Sequence, residues 1–566
     1  KYFPMKNLLF LLLILAQTVS AQFTNINILK EVKAKEKGLV VSAHPLASEA
    51  GAQILKKGGN AFDAAIATQF ALAVVYPQAG NIGGGGFLVG YTKKGEKIAL
   101  DYRETAPKNA SRDMYLDEKG KANTDLSQNG RLAVGVPGSV SGMFYTHQKF
   151  GKLPMADLIQ PAIDLAQKGF ALTEREANLL NETREDFLKH NSHPTAFTKE
   201  IPWKKGDILV QKELAQTLKL IQKQGQKAFY EGKNAQLLVS EMKRGNGIIT
   251  LEDLKNYKTK ERKALEFDYK NHEIITMPLP SSGGILLAQM LKMSSFENLE
   301  KYPQNSPEAV QVMVEAERRA FADRAEFMGD PDFIEDKTQM LISEEYLKNR
   351  WKNFSFEKAT PSAEVGKIIA QPKESTETTH ISIIDKFGNA VAVTTTLNGL
   401  YGSKVVVKGG GYFLNNEMDD FSVKPGVPNM FGAVGGEANK IEPNKRMLSS
   451  MTPTIVLKNG KAYIVVGTPG GTTIPTSVYQ SIVNVIDFKM TPSSAVNSAK
   501  FHHQWLPEVV FVEKNFPENT LKILEQKNYK FEKRGGIGRT EMIVIDENGN
   551  ATAVADSRGD DSVAVE

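Results

Sequence analysis

The stretch "TTHISIIDKFGNAVAVTTTLN", Thr378 to Asn398, decides how the rest of the chain is read. Apolar and polar residues alternate on either side of "KFGN" (Lys386–Asn389), the pattern of two half-buried strands joined by a tight turn. Threonines gather at both open ends: Thr378 and Thr379 start the first strand, and Thr394, Thr395 and Thr396 finish the second. β propensity accounts for threonine in strands. It leaves open whether one of these hydroxyls, set beside another by the hairpin, does chemistry.

Outward from the hairpin, both texture and element type change. More strands follow in "SMTPTIVLKNGKAYIVVGTPGG" (Ser450–Gly471), then a helix at "TSVYQSIVNVIDF" (Thr476–Phe488) and a closing strand pair in "TEMIVIDENGNATAVAD" (Thr540–Asp556). Upstream, Pro45–Val75 reads as two Ala-rich helices broken at Gly58-Gly59. A hairpin with strands Phe87–Tyr91 and Lys97–Tyr102 follows, and helical periodicity then dominates from Pro137 to about Gly329. Helices flanking antiparallel sheets predict an α+β layered fold.

Bulk properties narrow the function. A net charge of +5 is small for 566 residues, and lysines alternate with acids, so no nucleic-acid footprint is present. The chain has no cysteine, which excludes thiol catalysis and thiolate metal sites and leaves hydroxyls, carboxylates and His. The first residues read as an export signal: Lys6, the apolar run Leu8–Ala16 and the small residues Val19-Ser20-Ala21. Met5 is the expected start and residues 1–21 the expected signal peptide, cut after Ala21. The apolar run falls well short of the ~20 residues that span a bilayer. The expected destination is the periplasm or the cell exterior, with no membrane span after signal removal.

Other motifs are ambiguous one by one. "NIGGGGF" (Asn81–Phe87) lacks the Lys-Ser/Thr of a phosphate loop, and close backbone packing explains its glycines. His502-His503 diverge on any regular element and have no partner at metal-ligand spacing, so packing is the expected role and no metal site is assigned. "GTPGGTT" (Gly467–Thr473) is either a plain turn or a nest of backbone N–H groups suited to an anion. "LNNEMDDF" (Leu414–Phe421), "RMLSSMTP" (Arg446–Pro453) and Arg103 are polar groups beside apolar strands.

Together, in order, these segments resemble the γ-glutamyltranspeptidases. The likeness is carried by "TTHISIIDKFGNAVAVTTTLN", "LNNEMDDFSVKPGVPN", "PNKRMLSSMTPTIV", "GTPGG" and "FHHQWLP". In the amino-terminal half it is carried by "GNAFDAAIATQFALAVVYPQAGNIGGGGF", "DYRETAP", "AVGVPGSVSGM" and "PLPSSGGI". The resemblance implies an N-terminal nucleophile hydrolase fold, a four-layer αββα sandwich. It also implies a precursor that cuts itself between Glu377 and Thr378, freeing Thr378 as the nucleophile. The products would be a large subunit, 22–377, and a small catalytic subunit, 378–566, interwoven in one structural domain.

The chemistry suits that arrangement. A threonine hydroxyl needs a base, and a freed α-amine, with a reference pKa near 7.7–8.0, is unprotonated in roughly one molecule in seven at pH 7. A lysine near 10.4 offers about one in a few thousand. The family pattern gives Thr396 the support of that amine. Arg103, Ser449 and Ser450 would hold the α-carboxylate of a γ-glutamyl group, and Asn398, Glu417 and Asp420 its ammonium. The N–H groups of Gly470 and Gly471 would hold the oxyanion. Lys424–Arg446 resembles a lid, with Phe431 where several relatives carry Tyr.

The implied activity is transfer of the γ-glutamyl group of glutathione to water or to an amino acid or peptide, with no cofactor. Two alternatives stand beside it: a glutaryl- or cephalosporin-acylase-type amidohydrolase of the same fold, and a non-enzymatic γ-glutamyl-binding protein.

Overall fold

The computed structural model describes residues 27–366, 378–430, 432–433 and 435–566. Among them are two seven-stranded sheets whose strand pairs are all antiparallel. The first runs, edge to edge, Ser562–Val565, Leu39–Ser42, Thr379–Ile384, Ala390–Thr396, Gly85–Tyr91, Lys97–Asp101 and Lys260–Arg262. The second runs Glu31–Lys35, Asn550–Ala555, Glu541–Ile545, Lys461–Gly467, Thr454–Lys458, His272–Thr276 and Leu265–Tyr269. Both sheets therefore take strands from before and after residue 378.

Side-chain alternation makes the layers. In the hairpin, Ile381, Ile383, Val391 and Val393 point away from the second sheet, into a core shared with helices α1 (Pro45–Lys56) and α2 (Ala61–Val75). Asn60 and Asp63 close a capping box at the start of α2, which is buried on every side as its apolar sequence requires. On the other face, Ile384, Ala390 and Ala392 meet Ile275, Ile455, Val465 and Ile543 between the sheets. A third core joins the outer face of the second sheet to helices α3 (Gly283–Ser295), α4 (Pro307–Phe327) and α5 (Thr473–Ile486). The order is helix, sheet, sheet, helix, as expected.

Two parts of the expected layout need correction. The supposedly helical stretch from Pro137 to Gly329 contains Lys260–Arg262, Leu265–Tyr269 and His272–Thr276, which form one edge of each sheet. Leu265–Tyr269 alternates buried and exposed residues, a strand signal diluted by the charged residues around it. The chain also ends on a strand, Ser562–Val565, pairing with Leu39–Ser42 after the last expected hairpin. No helix among the described residues is long and apolar enough to cross a membrane.

Candidate active site

The hairpin register sorts the five threonines. Thr379 faces Thr395 and His380 faces Thr394, which brings Thr378 opposite Thr396. Their hydroxyl oxygens are 3.4 Å apart, and both residues are buried. By alternation Thr378, His380, Thr394 and Thr396 share the face toward the second sheet, while Thr379 and Thr395 share the other. Thr395 Oγ1 donates to the Gly85 carbonyl (2.7 Å), and Thr394 Oγ1 meets His380 Nδ1 (2.8 Å). These two fasten the hairpin, as expected of strand residues. Burial lowers the His380 pKa to about 3, so its imidazole is neutral at physiological pH.

Beyond Thr396 the chain turns at Asn398, which holds φ at +75°, a conformation asparagine tolerates better than most residues. The Asn398 N–H donates to Thr396 Oγ1 (2.8 Å), orienting that hydroxyl, and its side-chain amide donates to the Asn416 carbonyl (3.0 Å). The next residue is Glu417, which opens a short 3-10 turn ending at Asp420.

Arg103 follows the strand Lys97–Asp101 and is almost fully buried. It donates to Glu417 Oε1 and, at 2.5 Å, to Asp420 Oδ2, with Glu104 Oε2 3.7 Å away. Burial by itself would lower the pKa of Arg103. Attraction to Glu417, Asp420 and Glu104 outweighs it and holds the guanidinium charged. Burial raises the pKa values of Glu417 and Asp420, with Arg103 opposing in both cases. Glu104 is pushed up to about 7 by the same burial. This crowding explains a glycine of "NIGGGGF": a Cβ at Gly85 would lie 2.4 Å from Glu104 Oε2, and one at Gly84 2.1 Å from the Thr396 carbonyl oxygen.

The second sheet supplies the opposite wall. Strand Lys461–Gly467 runs into Gly470 and Gly471, which have φ of +137° and +58°, and α5 begins two residues later. A Cβ at Gly470 would meet Thr473 Oγ1 at 2.3 Å. The turn thus requires glycine and aims the amino-terminal end of a buried helix at the hairpin, a setting that favours negative charge. "FHHQWLP" braces this turn: Thr472 Oγ1 donates to Gln504 Oε1 (2.5 Å), which also meets His502 Nε2 (2.9 Å). His502 Nδ1 meets Thr476 Oγ1 (2.9 Å). His502 and His503 are buried, and burial lowers both pKa values; the two protein contacts of His502 give it a packing role in this turn.

One small cavity, about 20 Å³, gathers these groups. Thr378, Thr396, Asn398, Arg103, Glu417, Asp420, Ser449, Ser450 and Gly471 all line it. Gly470 does not; it sits one residue behind Gly471 in the turn. Glu377 and Phe431 lie outside the described residues.

Five lining residues were not singled out in the sequence: the polar Arg324, Asn429 and Thr472, and the apolar Met451 and Ile474. Asn429 belongs to the lid-like segment and donates to Asp420 Oδ1 (2.9 Å), while the N–H of Met430 donates to Asp419 Oδ2 (2.7 Å). The lid resemblance pointed to the segment but not to these anchors.

Residues 47–566 match the family profile described as Gamma-glutamyltranspeptidase. The chain is 45% identical over 534 residues to a protein of Escherichia coli (strain K12) named glutathione hydrolase proenzyme, covering 94% of this chain and 92% of that relative. The solved structure of cephalosporin acylase from Bacillus halodurans resembles it with a TM-score of 0.81 at 25% identity, over 95% of this chain and 97% of that one. Helicobacter pylori γ-glutamyltranspeptidase gives a TM-score of 0.57 at 43% identity, over 59% of this chain and 97% of that one.

Proposed function

The chain belongs to the γ-glutamyltranspeptidase family, and from that premise we propose that Thr378, once freed by cutting of the Glu377–Thr378 bond, carries the γ-glutamyl group of glutathione as an ester. The enzyme is a glutathione hydrolase and γ-glutamyltransferase with the fold of the N-terminal nucleophile hydrolases. The observation that carries the proposal is the single cavity in which Thr378 meets paired cationic and anionic groups.

In the proposed cycle the Thr378 α-amine takes the hydroxyl proton as Oγ1 attacks the γ-carbonyl. Thr396, itself oriented by the Asn398 N–H, supports that end of the hairpin. Negative charge on the carbonyl oxygen falls toward the Gly470–Gly471 turn and the start of α5. An oxyanion donor of this kind is typically worth ~2.7–4 kcal/mol in the barrier. The leaving amine departs protonated. Water or an amino-acid amine then attacks the ester, and the cycle is ping-pong.

Recognition follows from charge exchange. Arg103 is already paired with Glu417 and Asp420, so a substrate carboxylate must exchange with one of them to reach it. The α-carboxylate of a γ-glutamyl group would replace Glu417 or Asp420 on Arg103, with Ser449 and Ser450 as further donors. Its ammonium would then occupy the carboxylates so released, beside Asn398. A zwitterion makes this exchange without leaving a buried charge unpaired, the costly outcome in a dry site.

The acylase alternative is weakened by the same feature, because a glutaryl group has no ammonium for Glu417 and Asp420. The test is turnover of a γ-glutamyl anilide against a glutaryl anilide. The γ-glutamyl donor should be preferred by at least about 10-fold, the value of one charge-assisted hydrogen bond; preference for the glutaryl donor would favour the acylase reading.

Glu104 gives this site a pH signature. Its pKa of about 7 in the fold stands above the ordinary 4.5, so the unfolded chain loses that proton first. Its contribution to stability therefore falls as pH rises from about 4.5 to 7 and is level above that. Glu104→Gln removes this slope. The variant should gain on wild type in urea midpoint across the window, and a constant difference would contradict the assignment.

The proposal places the enzyme outside the cytoplasm, on the strength of the segment Lys6–Ala21. It leaves the mature pieces interlocked, because strands from both complete each sheet.

A further inference from the structure

We propose that Arg324 is a specificity-determining residue of this site, a second guanidinium that receives the α-carboxylate of the donor beside Ser449 and Ser450. The inference rests on the γ-glutamyl reading above and deepens it.

Arg324 sits near the end of α4, inside the fold and 7% exposed. Its Nε donates to Ser282 Oγ (3.1 Å), and Ser282 donates through both its backbone N–H (2.8 Å) and its hydroxyl (2.7 Å) to the Ser449 carbonyl. The guanidinium is thereby tied to the backbone that presents the two serines. Arg324 lines the same cavity as Thr378, Ser449 and Ser450.

Its guanidinium differs from those of three other buried arginines. Arg103 is paired with Glu417 and Asp420, Arg319 with Glu315, and Arg446 with Asp101. Among the described residues, Arg324 has no carboxylate within ion-pair distance, and its two terminal nitrogens donate to no protein acceptor. Buried charges are ordinarily paired because burial of a lone one is costly. A lone guanidinium facing a cavity is accordingly a place for an anion, and Arg offers a planar fork matched to carboxylate.

The charges around it agree. Asp420 attracts Arg324 and Arg103 repels it, while burial lowers its pKa to about 10, which leaves it charged at neutral pH. Arg103 must give up a carboxylate partner to receive a substrate carboxylate; Arg324 gives up none. It should therefore contribute discrimination for donors that carry this group.

The test compares processed wild type, Arg324→Met and Arg324→Lys on three anilides. The γ-glutamyl donor carries carboxylate and ammonium, the glutaryl donor carboxylate only, and the 4-aminobutyryl donor ammonium only. Arg324→Met should lower kcat/KM on the first two by about 10- to 150-fold, the range for a hydrogen bond to a charged group, and leave the third within about twofold. Arg324→Lys should recover part of the loss on the same two donors.

An equal fall on all three, no change on any, or a fall confined to the ammonium-bearing pair would overturn the proposal; the last outcome would make Arg324 a support for Asp420. If Arg324→Met stays uncut, the comparison is read from Arg324→Lys and Arg324→Gln. Failure of all three variants to mature would assign the residue a structural role instead. Should wild type itself not turn over the γ-glutamyl anilide, the functional reading fails, independently of Arg324.

Discussion

Thr378→Ala is expected to remain a single uncut chain and to show no measurable turnover of a γ-glutamyl donor. The variant deletes a hydroxyl and one methyl group at a buried position, the hydroxyl lying 3.4 Å from Thr396 Oγ1, and the fold should survive so small a truncation. Both chemical events use that oxygen. In self-cleavage it attacks the Glu377 carbonyl to form an ester that water opens. In catalysis it attacks the donor. Loss of a nucleophile costs about 10⁶-fold where it has been measured in acyl transfer, far more than loss of any single binding contact. Thr378→Ser, which keeps the hydroxyl, should still process. Denaturing gels and anilide assays on the two variants check this, and a processed, active Thr378→Ala would remove Thr378 from the mechanism.

Arg103→Met should have the second largest effect, on stability and binding together. The wild-type guanidinium neutralises a cluster in which Glu417 and Glu104 are wholly buried and Asp420 nearly so. Without it three carboxyl groups face one another away from water. Breaking a buried pair from one side typically costs about 3–5 kcal/mol. The sign of the pH dependence is fixed by the remaining acids. Their pKa values are already raised, and loss of Arg103 raises them further, so protonation relieves the repulsion as pH falls. Urea unfolding should show a larger deficit near pH 8 than near pH 5, and KM for a γ-glutamyl donor should rise steeply. A deficit of equal size at both pH values would mean that the cluster is not held by Arg103.

The difference between what could and could not be seen in the sequence has physical causes. The hairpin Thr379–Thr396 was legible because apolar and polar residues alternate along both strands, its apolar face packs on helices, and the turn "KFGN" between them carries a glycine, Gly388, at φ of +95°. Alternation even separates Thr378 and Thr396 from Thr379 and Thr395, once the register is known. Arg103, Glu417, Asp420 and the two serines were not legible from pattern alone; each resembles a surface polar residue, and only their ordered resemblance to a family joined them. Arg324 escaped because "ERRAFADRAEF" (Glu317–Phe327) reads as a charged helix whose arginines pair with neighbours. Arg319 does pair, with Glu315 one turn earlier, whereas Arg324 turns inward to a site assembled from distant segments. Glu104 was hidden by its adjacency to Arg103. The edge strands Lys260–Arg262 and Ser562–Val565 were missed because three or four residues at a sheet margin leave almost no periodicity to read.

The central claim is that a freed Thr378 holds the γ-glutamyl group. The most direct measurement is intact mass, with amino-terminal sequencing, of the small piece of the purified protein before and after acid quenching in the presence of a γ-glutamyl donor. The account predicts a piece beginning Thr-Thr-His-Ile that gains the mass of one γ-glutamyl group on its first residue during turnover. A piece with another amino terminus, or turnover with the label on any other residue, would contradict it.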